Sequence, residues 1–201
     1  MRLFLSPTSP FAREVKVALA EKNLLESTEQ AYVDPWDSPA ELVNVNPLSQ
    51  VPTLELDDGQ ILTNSSTILQ WLEFAYPTPA LLPEKPADRA RVLGTAALAQ
   101  GVVESVVYVV IEGRKPPKQQ SQQMLSRRRT GIERTLLALE DRFDCSRERF
   151  LLDGLHLACA LAYVDLRLPD FDWRMGSQRL GHWYTWAAGR RSMQESAPPS
   201  Q

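Results

Sequence analysis

Leu5-Ser6-Pro7-Thr8-Ser9-Pro10-Phe11-Ala12-Arg13 is where the periodicity of the chain changes. Before it, Arg2-Leu3-Phe4-Leu5 is short, apolar and bounded by Ser-Pro; after it, Phe11, Val15, Ala18 and Leu19 recur at helical spacing. The order is strand, tight loop, helix. Ser9 is a good N-cap, and Pro10 suits the first helical position because the N–H it lacks would find no intrahelical partner there. Ser9 therefore stands at the positive end of a helix. A hydroxyl held there, beside free backbone N–H groups, can donate to an anion that the helix dipole also favours. Two readings stay open from this stretch: Ser9 only caps its helix, or it also serves a ligand.

Outward from the loop, the spacing predicts a helix to about Lys22, with Asn23 as a left-handed terminator. Glu29-Gln30-Ala31-Tyr32-Val33 follows as a strand, and Asp34-Pro35-Trp36-Asp37-Ser38-Pro39 breaks the chain. Strand, helix and strand in this order make a βαβ unit with parallel neighbours. Val51-Pro52-Thr53-Leu54-Glu55-Leu56, the turn Asp57-Asp58-Gly59 and Gln60-Ile61-Leu62 read as a β-hairpin. Pro52 stands at the mouth of its first strand. An ordinary trans proline opening an edge strand is one reading; a cis bond, turning the Val51 N–H and C=O outward to meet a bound peptide, is the other. Thr63-Asn64-Ser65-Ser66 then opens an amphipathic helix with Ile68, Trp71, Leu72 and Ala75 on its apolar face. Ser65 can offer a hydroxyl and an N–H to a carboxylate there, or can simply cap.

The composition bounds the function. The chain has 201 residues, 43% hydrophobic and 23% charged, which suits one large or two small globular domains and excludes general disorder. A net charge of −3, both signs interspersed, provides no field for nucleic acid or an anionic membrane. Two cysteines, Cys145 and Cys159, and two histidines are too few for a disulfide framework or a zinc site. No apolar run approaches the ~20 residues that span a bilayer, and Met1-Arg2-Leu3 leads into a strand, not a signal peptide. The expectation is a cytoplasmic protein without a metal.

Several ordered motifs together carry a resemblance that spans nearly the whole chain. Ser9-Pro10-Phe11-Ala12-Arg13, Asn46-Pro47-Leu48-Ser49-Gln50-Val51-Pro52 and Asn64-Ser65-x-x-Ile68 lie in the first half. Val164-Asp165-Leu166-Arg167, Asp172-Trp173 and the closing Ser192-Met193-Gln194-Glu195-Ser196-x-Pro198 lie in the second. The sequence resembles the cytosolic glutathione S-transferases, in particular the bacterial ones with a Ser-Pro-Phe-x-Arg loop. The resemblance implies an α/β plus all-α fold: a thioredoxin-like N-terminal domain (βαβ-α-ββα) with Pro52 cis, then an all-helical C-terminal domain. It implies that Ser9 orients and stabilises the glutathione thiolate, that Val51 pairs its main chain with the cysteinyl unit, and that Ser65 holds the γ-glutamyl carboxylate. Gln50 reaches the glycyl end, and Phe11, Pro52 and Asn64 complete the implied glutathione-binding set. Glutathione would be a co-substrate, with no further cofactor, and the protein a homodimer.

Two departures from the family pattern matter. Asn64 replaces the usual Asp or Glu, so a neutral amide stands where a charged acceptor would grip the ligand's α-amino group. His156-Leu157-Ala158-Cys159 replaces a Ser/Thr-x-x-Asp capping box, so that helix must start some other way.

The expected chemistry is that of a thiol. A free thiol has a pKa near ~8.5, and lowering it by ~2 units needs ~2.7 kcal/mol of selective stabilisation of the anion. One hydrogen bond to a charged group contributes roughly 1.5–3 kcal/mol and a helix end roughly 0.3–1 kcal/mol. Ser9 with its helix suffices, and serine cannot form a mixed disulfide, which favours conjugation, addition or peroxide reduction over disulfide exchange.

After Tyr76-Pro77-Thr78-Pro79-Ala80-Leu81-Leu82-Pro83 the domain changes, giving 1–78 as the glutathione-binding domain, 79–86 as linker and 87–201 as the helical domain. Helices are expected over Ala87–Glu112, Ser121–Phe143, Leu155–Leu168 and Leu180–Ala188, with a frayed tail from Ser196 to Gln201. Arg127-Arg128-Arg129 reads as a solvated helix face. Trp36 and Tyr108 are candidates to line a co-substrate pocket between the domains, though aromatics at such spacing also serve as core. His156 reads as packed, His182 as an exposed helical residue, and both cysteines as inert thiols. Three functions stay open: transfer of glutathione to a small hydrophobic electrophile, a glutathione-dependent lyase, isomerase or peroxidase, and a non-catalytic binding module.

Overall fold

The strand β1 (Arg2–Leu5) is buried on both faces, and its side-chain alternation decides what each face must meet. The computed structural model describes residues 1–146 and 149–199. Phe4 packs with Val33 and with Leu42 of α2 (Ala40–Val45), so α2 covers that face. Leu3 and Leu5 point the other way, toward α1 (Pro10–Glu21) and α3 (Ser65–Ala75), whose Val15, Ala18, Leu19, Ile68 and Leu72 are fully buried. The result is helix, sheet, helix in three layers.

The sheet order is β2-β1-β3-β4. β2 (Glu29–Tyr32) runs parallel to β1 with Leu5 beside Tyr32, as the βαβ reading expects. β3 (Thr53–Glu55) and β4 (Ile61–Thr63) form the expected hairpin, and β3 lies antiparallel to β1 with Phe4 opposite Thr53. Gly59, at φ 83°, takes the left-handed turn position that a side chain would strain. Asn23, at φ 57°, ends α1 in the left-handed conformation read from the sequence. The Val51–Pro52 bond is cis, and this is the thioredoxin-like arrangement that the resemblance implied; Thr78–Pro79 is cis as well.

The chain divides into two compact units, 1–81 with 190–201, and 82–189. The division falls inside the expected connector 79–86, but residues 190–201 group with the first unit, where the sequence reading carried the helical domain to 201. The connector is anchored where it begins: Lys22, whose side chain is fully buried, donates to Glu73 at 2.9 Å and to the carbonyls of Tyr76 and Pro79 at 2.6 and 3.0 Å. Glu73 in turn accepts the Leu81 N–H. All three donors of the ammonium are thus satisfied, which is the condition under which a buried charge is tolerated.

The helical domain does not extend to the end of the chain. Arg190 forms a two-pronged ion pair with Glu21, at 3.0 and 2.8 Å, and Ser192 donates to the same carboxylate. The short helix α8 (Arg191–Glu195) therefore returns to α1. Arg13 completes the attachment, donating to the Met193 carbonyl at 3.0 Å and to Ser196 Oγ at 3.3 Å. The tail expected to fray is held at Ser196, which is buried; Ser200 and Gln201 lie outside the described residues.

The helical unit is built from α4 (Pro86–Gly113), α5 (Gln122–Arg142), α6 (Leu152–Arg167) and α7 (Gln178–Ala188). By length and composition α4 could span a bilayer, contrary to the sequence expectation, because Thr95, Gln100 and Glu104 interrupt its apolar run without ending it. It packs here against α5 and α6. The helix α6 is buried almost throughout and starts at Leu152, not Leu155. His156-Leu157-Ala158-Cys159 therefore lies inside the helix. Its start has no side-chain cap at Leu151; Asp153 Oδ1 accepts the Gly154 N–H at 2.8 Å instead. Asp165 takes Trp173 Nε1 and a bidentate Arg174, at 2.7–2.8 Å, which explains the motif residues Asp165 and Trp173. The expected solvated arginine face is only partly so: Arg127 is exposed, but Arg128 stacks on Tyr108 and Arg129 pairs with Asp170 at 2.8 Å.

Replacing Lys22 by Met leaves Glu73 and two carbonyls facing an apolar chain. Chemical denaturation of that variant is expected to register a loss of about 3–5 kcal/mol, the typical cost of removing one partner of a buried ion pair.

Candidate functional site

Strand direction gathers the candidate residues. The carboxyl ends of β1, β2 and β4 and the amino end of β3 all fall on one edge of the sheet, because β3 alone runs against the others. The loop from β1 brings Ser9 there, the loop into β3 brings Gln50, Val51 and Pro52, and the end of β4 brings Asn64 and Ser65. Ser9 follows β1, Val51 precedes β3 and Ser65 follows β4, so the three stand in a row. Two strand spacings separate the ends of that row, about 10 Å at ~4.8 Å each, which is the reach of three extended residues at ~3.3–3.6 Å each.

Ser9 is indeed the N-cap of α1, its Oγ accepting the Ala12 N–H at 3.2 Å. Capping and ligand binding do not compete. A hydroxyl has one proton and two lone pairs, the cap uses only the oxygen, and among the described residues no acceptor takes the Ser9 proton. Val51 is likewise available: among the described residues neither its N–H nor its C=O has a hydrogen-bond partner. Pro52 beside it is buried, and the Gln50 side chain is exposed. The loop that carries them is tied by Asn46, buried to 2% exposure, which donates to the Gln50 carbonyl at 3.0 Å and to Thr53 Oγ1 at 2.9 Å and accepts the Leu48 N–H. That gives the Asn46-Pro47 motif a positioning role that its sequence alone did not state.

Ser65 is the first residue of α3 and is buried, with no hydrogen-bond partner for its hydroxyl among the described residues. Asn64 caps the same helix, its Oδ1 accepting the Ser66 N–H at 2.9 Å from a backbone at φ 72°. Such a conformation is uncommon for a side chain other than glycine, and Asn is among those that tolerate it. The amide oxygen is thus already engaged.

The other candidates belong to other stretches of the chain. Phe11 is half-buried in the first turn of α1. Trp36 is 65% exposed, on a short helical turn capped by Asp34. Tyr108 belongs to α4 of the helical unit, with the Arg128 guanidinium 5.0 Å from its ring centre. His156 is buried inside α6 and His182 exposed on α7. Burial pushes the Cys145 thiol up, away from the thiolate, and Cys159 is buried in α6. Among the described residues no group of three or more His, Cys, Asp and Glu could hold a metal.

Sequence reading passed over the other side of Ser9. A cleft of about 200 Å³ there is lined by Leu5, Ser9, Arg13, Lys16, Tyr32 and the tail residues Ser196 to Pro199, Pro198 excepted. The signal was present, since Ser9, Arg13 and Lys16 are spaced i, i+4, i+7 and share one helix face.

Comparison with known proteins fits this geometry. The family model for the glutathione S-transferase N-terminal domain matches residues 3–80. The chain is 30% identical over 210 residues to the uncharacterized GST-like protein YibF of Escherichia coli K12, covering 99% of both. A glutathione transferase family member from Pseudomonas fluorescens Pf-5 is 34% identical. It superposes with a TM-score of 0.91 in its complex with glutathione, over 99% of each chain, and of 0.89 in its complex with S-(propanoic acid)-glutathione, over 100% of each. A maleylacetoacetate isomerase from Pseudomonas aeruginosa is 38% identical over 102 residues, 49% of this chain and 48% of that protein. Matched over its full length by such relatives and built on their fold, this chain belongs to the glutathione S-transferase family.

Proposed function

We propose that the protein is a cytoplasmic, homodimeric glutathione transferase that activates the glutathione thiolate for attack on a small electrophile. It needs no cofactor beyond glutathione as co-substrate. The observation that carries this is the Ser9 hydroxyl, which caps α1 with its oxygen and whose proton has no acceptor among the described residues. The tripeptide would lie along the row of loops, its γ-glutamyl carboxylate at Ser65 and the α3 N-terminus, its cysteinyl main chain on Val51, its sulfur at Ser9. A sulfur anion there receives one charge-assisted hydrogen bond and the positive end of α1, the two contributions that bring a thiol into its ionised form near neutral pH. Gln50, exposed beside Val51, would take the glycyl end, and Trp36 would line the way for an apolar co-substrate. The complexes of the Pseudomonas fluorescens relative support the reading of the ligand.

A second reading, glutathione-dependent isomerisation, is favoured by the likeness to maleylacetoacetate isomerase. It uses the same thiolate, and the same Ser9 would serve it.

In Ser9→Ala, the bound glutathione thiol is expected to titrate about 1–2 units higher, since a hydrogen bond of ~1.5–3 kcal/mol to the anion is lost. Thiolate absorbance against pH reads this directly, and conjugation of a generic aryl halide at pH 6.5 should fall about 10–100-fold with little change in glutathione affinity. An unchanged titration would remove Ser9 from the chemistry. Asn64→Asp restores a charged acceptor while keeping the α3 cap, because Asp caps as well as Asn. Calorimetry is expected to show glutathione bound about tenfold more tightly, the ~1.4 kcal/mol gained on charging one acceptor. Light scattering should return twice the chain mass.

A further inference from the structure

The cleft beside Ser9 has a one-sided charge. Arg13 and Lys16 both line it, both half-buried, and among the described residues neither forms an ion pair. Arg13 spends its Nε and Nη2 on two neutral acceptors, Ser196 Oγ and the Met193 carbonyl. Lys16 donates to the Tyr32 hydroxyl at 3.1 Å and lies over its ring, and that hydroxyl donates to Gln30. None of the residues that line the cleft is Asp or Glu. The nearby carboxylates are committed elsewhere: Glu21 to Arg190, Glu195 to Arg191, and Asp34 to its own turn. Helical side chains tilt toward the amino end of their helix, so the heads of Arg13 and Lys16 lean toward Ser9.

The sheet order decides which ligand this charge would face. β2, which carries Tyr32, lies on the opposite side of β1 from β3 and β4. In the reading proposed above, the tripeptide occupies the β1 to β4 side, with both its carboxylates there. An anion in the Tyr32 cleft is therefore beyond the sulfur and belongs to the second substrate.

We propose that this cleft is an anion site that takes the carboxylate of the co-substrate, making the electrophile a short α,β-unsaturated carboxylic acid. The inference rests on the transferase reading and sharpens it, replacing a merely apolar electrophile with an acidic one. In the reaction, the thiolate lone pair forms a C–S bond to the β-carbon and the C=C π pair moves to the α-carbon. That carbon takes a proton from water; the thiol proton was given up to water when the thiolate formed, so the sum is addition of S–H across the double bond. No oxidant or leaving group is needed. Lys16 and Arg13 hold the carboxylate as it gains enolate charge, and the tail from Ser196 walls the site. Lys16 is the specificity-determining residue, since among the described residues its ammonium meets only the hydroxyl and ring of Tyr32.

The test compares two product conjugates of nearly equal shape, S-(2-carboxyethyl)glutathione and its neutral amide S-(2-carbamoylethyl)glutathione, with glutathione itself as the reference, by calorimetry. Wild type is expected to bind the acid about tenfold more tightly than the amide, the advantage shrinking as salt is raised. In Lys16→Gln the two conjugates should bind within about twofold of each other while glutathione binds as before. Equal binding of acid and amide by the wild type, or equal weakening of both by Lys16→Gln, overturns the anion site and leaves the transferase reading intact. Failure of glutathione itself to bind takes down that reading, and the anion site with it.

Discussion

Strand polarity is the constraint on which this site depends. One antiparallel strand among three parallel ones places four loop mouths on a single edge of the sheet, and with them two helix amino ends and the Val51 main chain, which has no hydrogen-bond partner among the described residues. Reversing any strand would send one of these contributions to the far edge. The parallel pairing of β1 with β2 requires a crossover, which α1 supplies, and that same crossover sets the α1 amino end above β1. The capping serine is thus positioned by topology before any side-chain contact refines it.

Much of the sheet was legible because its signals are local. The change from strand to helical periodicity at Ser9, the Asp58-Gly59 turn and the left-handed Asn23 each depend on a few neighbouring residues, and each stands where the sequence indicated. What escaped sequence reading is contact between distant residues or contact with backbone. Arg13 meets Met193 and Ser196 across about 180 positions, and Glu21 meets Arg190 across 169. Lys22 finds two of its acceptors in carbonyls, which every residue carries and no sequence advertises. The start of α6 was misplaced because no capping residue marks it; burial, not a local signal, sets that end.

The site shows the same division. Ser9, Val51 and Ser65 could be named because each sits at a recognisable boundary between elements. Arg13 entered the sequence reading only as the last residue of its Ser-Pro-Phe-x-Arg motif, and Lys16 did not enter it. Their meaning lies in what they lack among the described residues, an acidic partner, and that is a property of three-dimensional surroundings. Arg13 also binds the returning tail, so one side chain serves both the attachment of the chain end and the charge of the cleft.

That the chain end completes the sheet unit has a consequence for synthesis. A ribosome delivers residues 1–81 before residues 190–201, with the entire helical unit emerging in the interval. At ~5–20 residues per second the nascent sheet waits several seconds for α8, with Glu21 and the Leu5 side of its cleft uncovered meanwhile. The cleft therefore gains its wall only after the whole helical unit has been made.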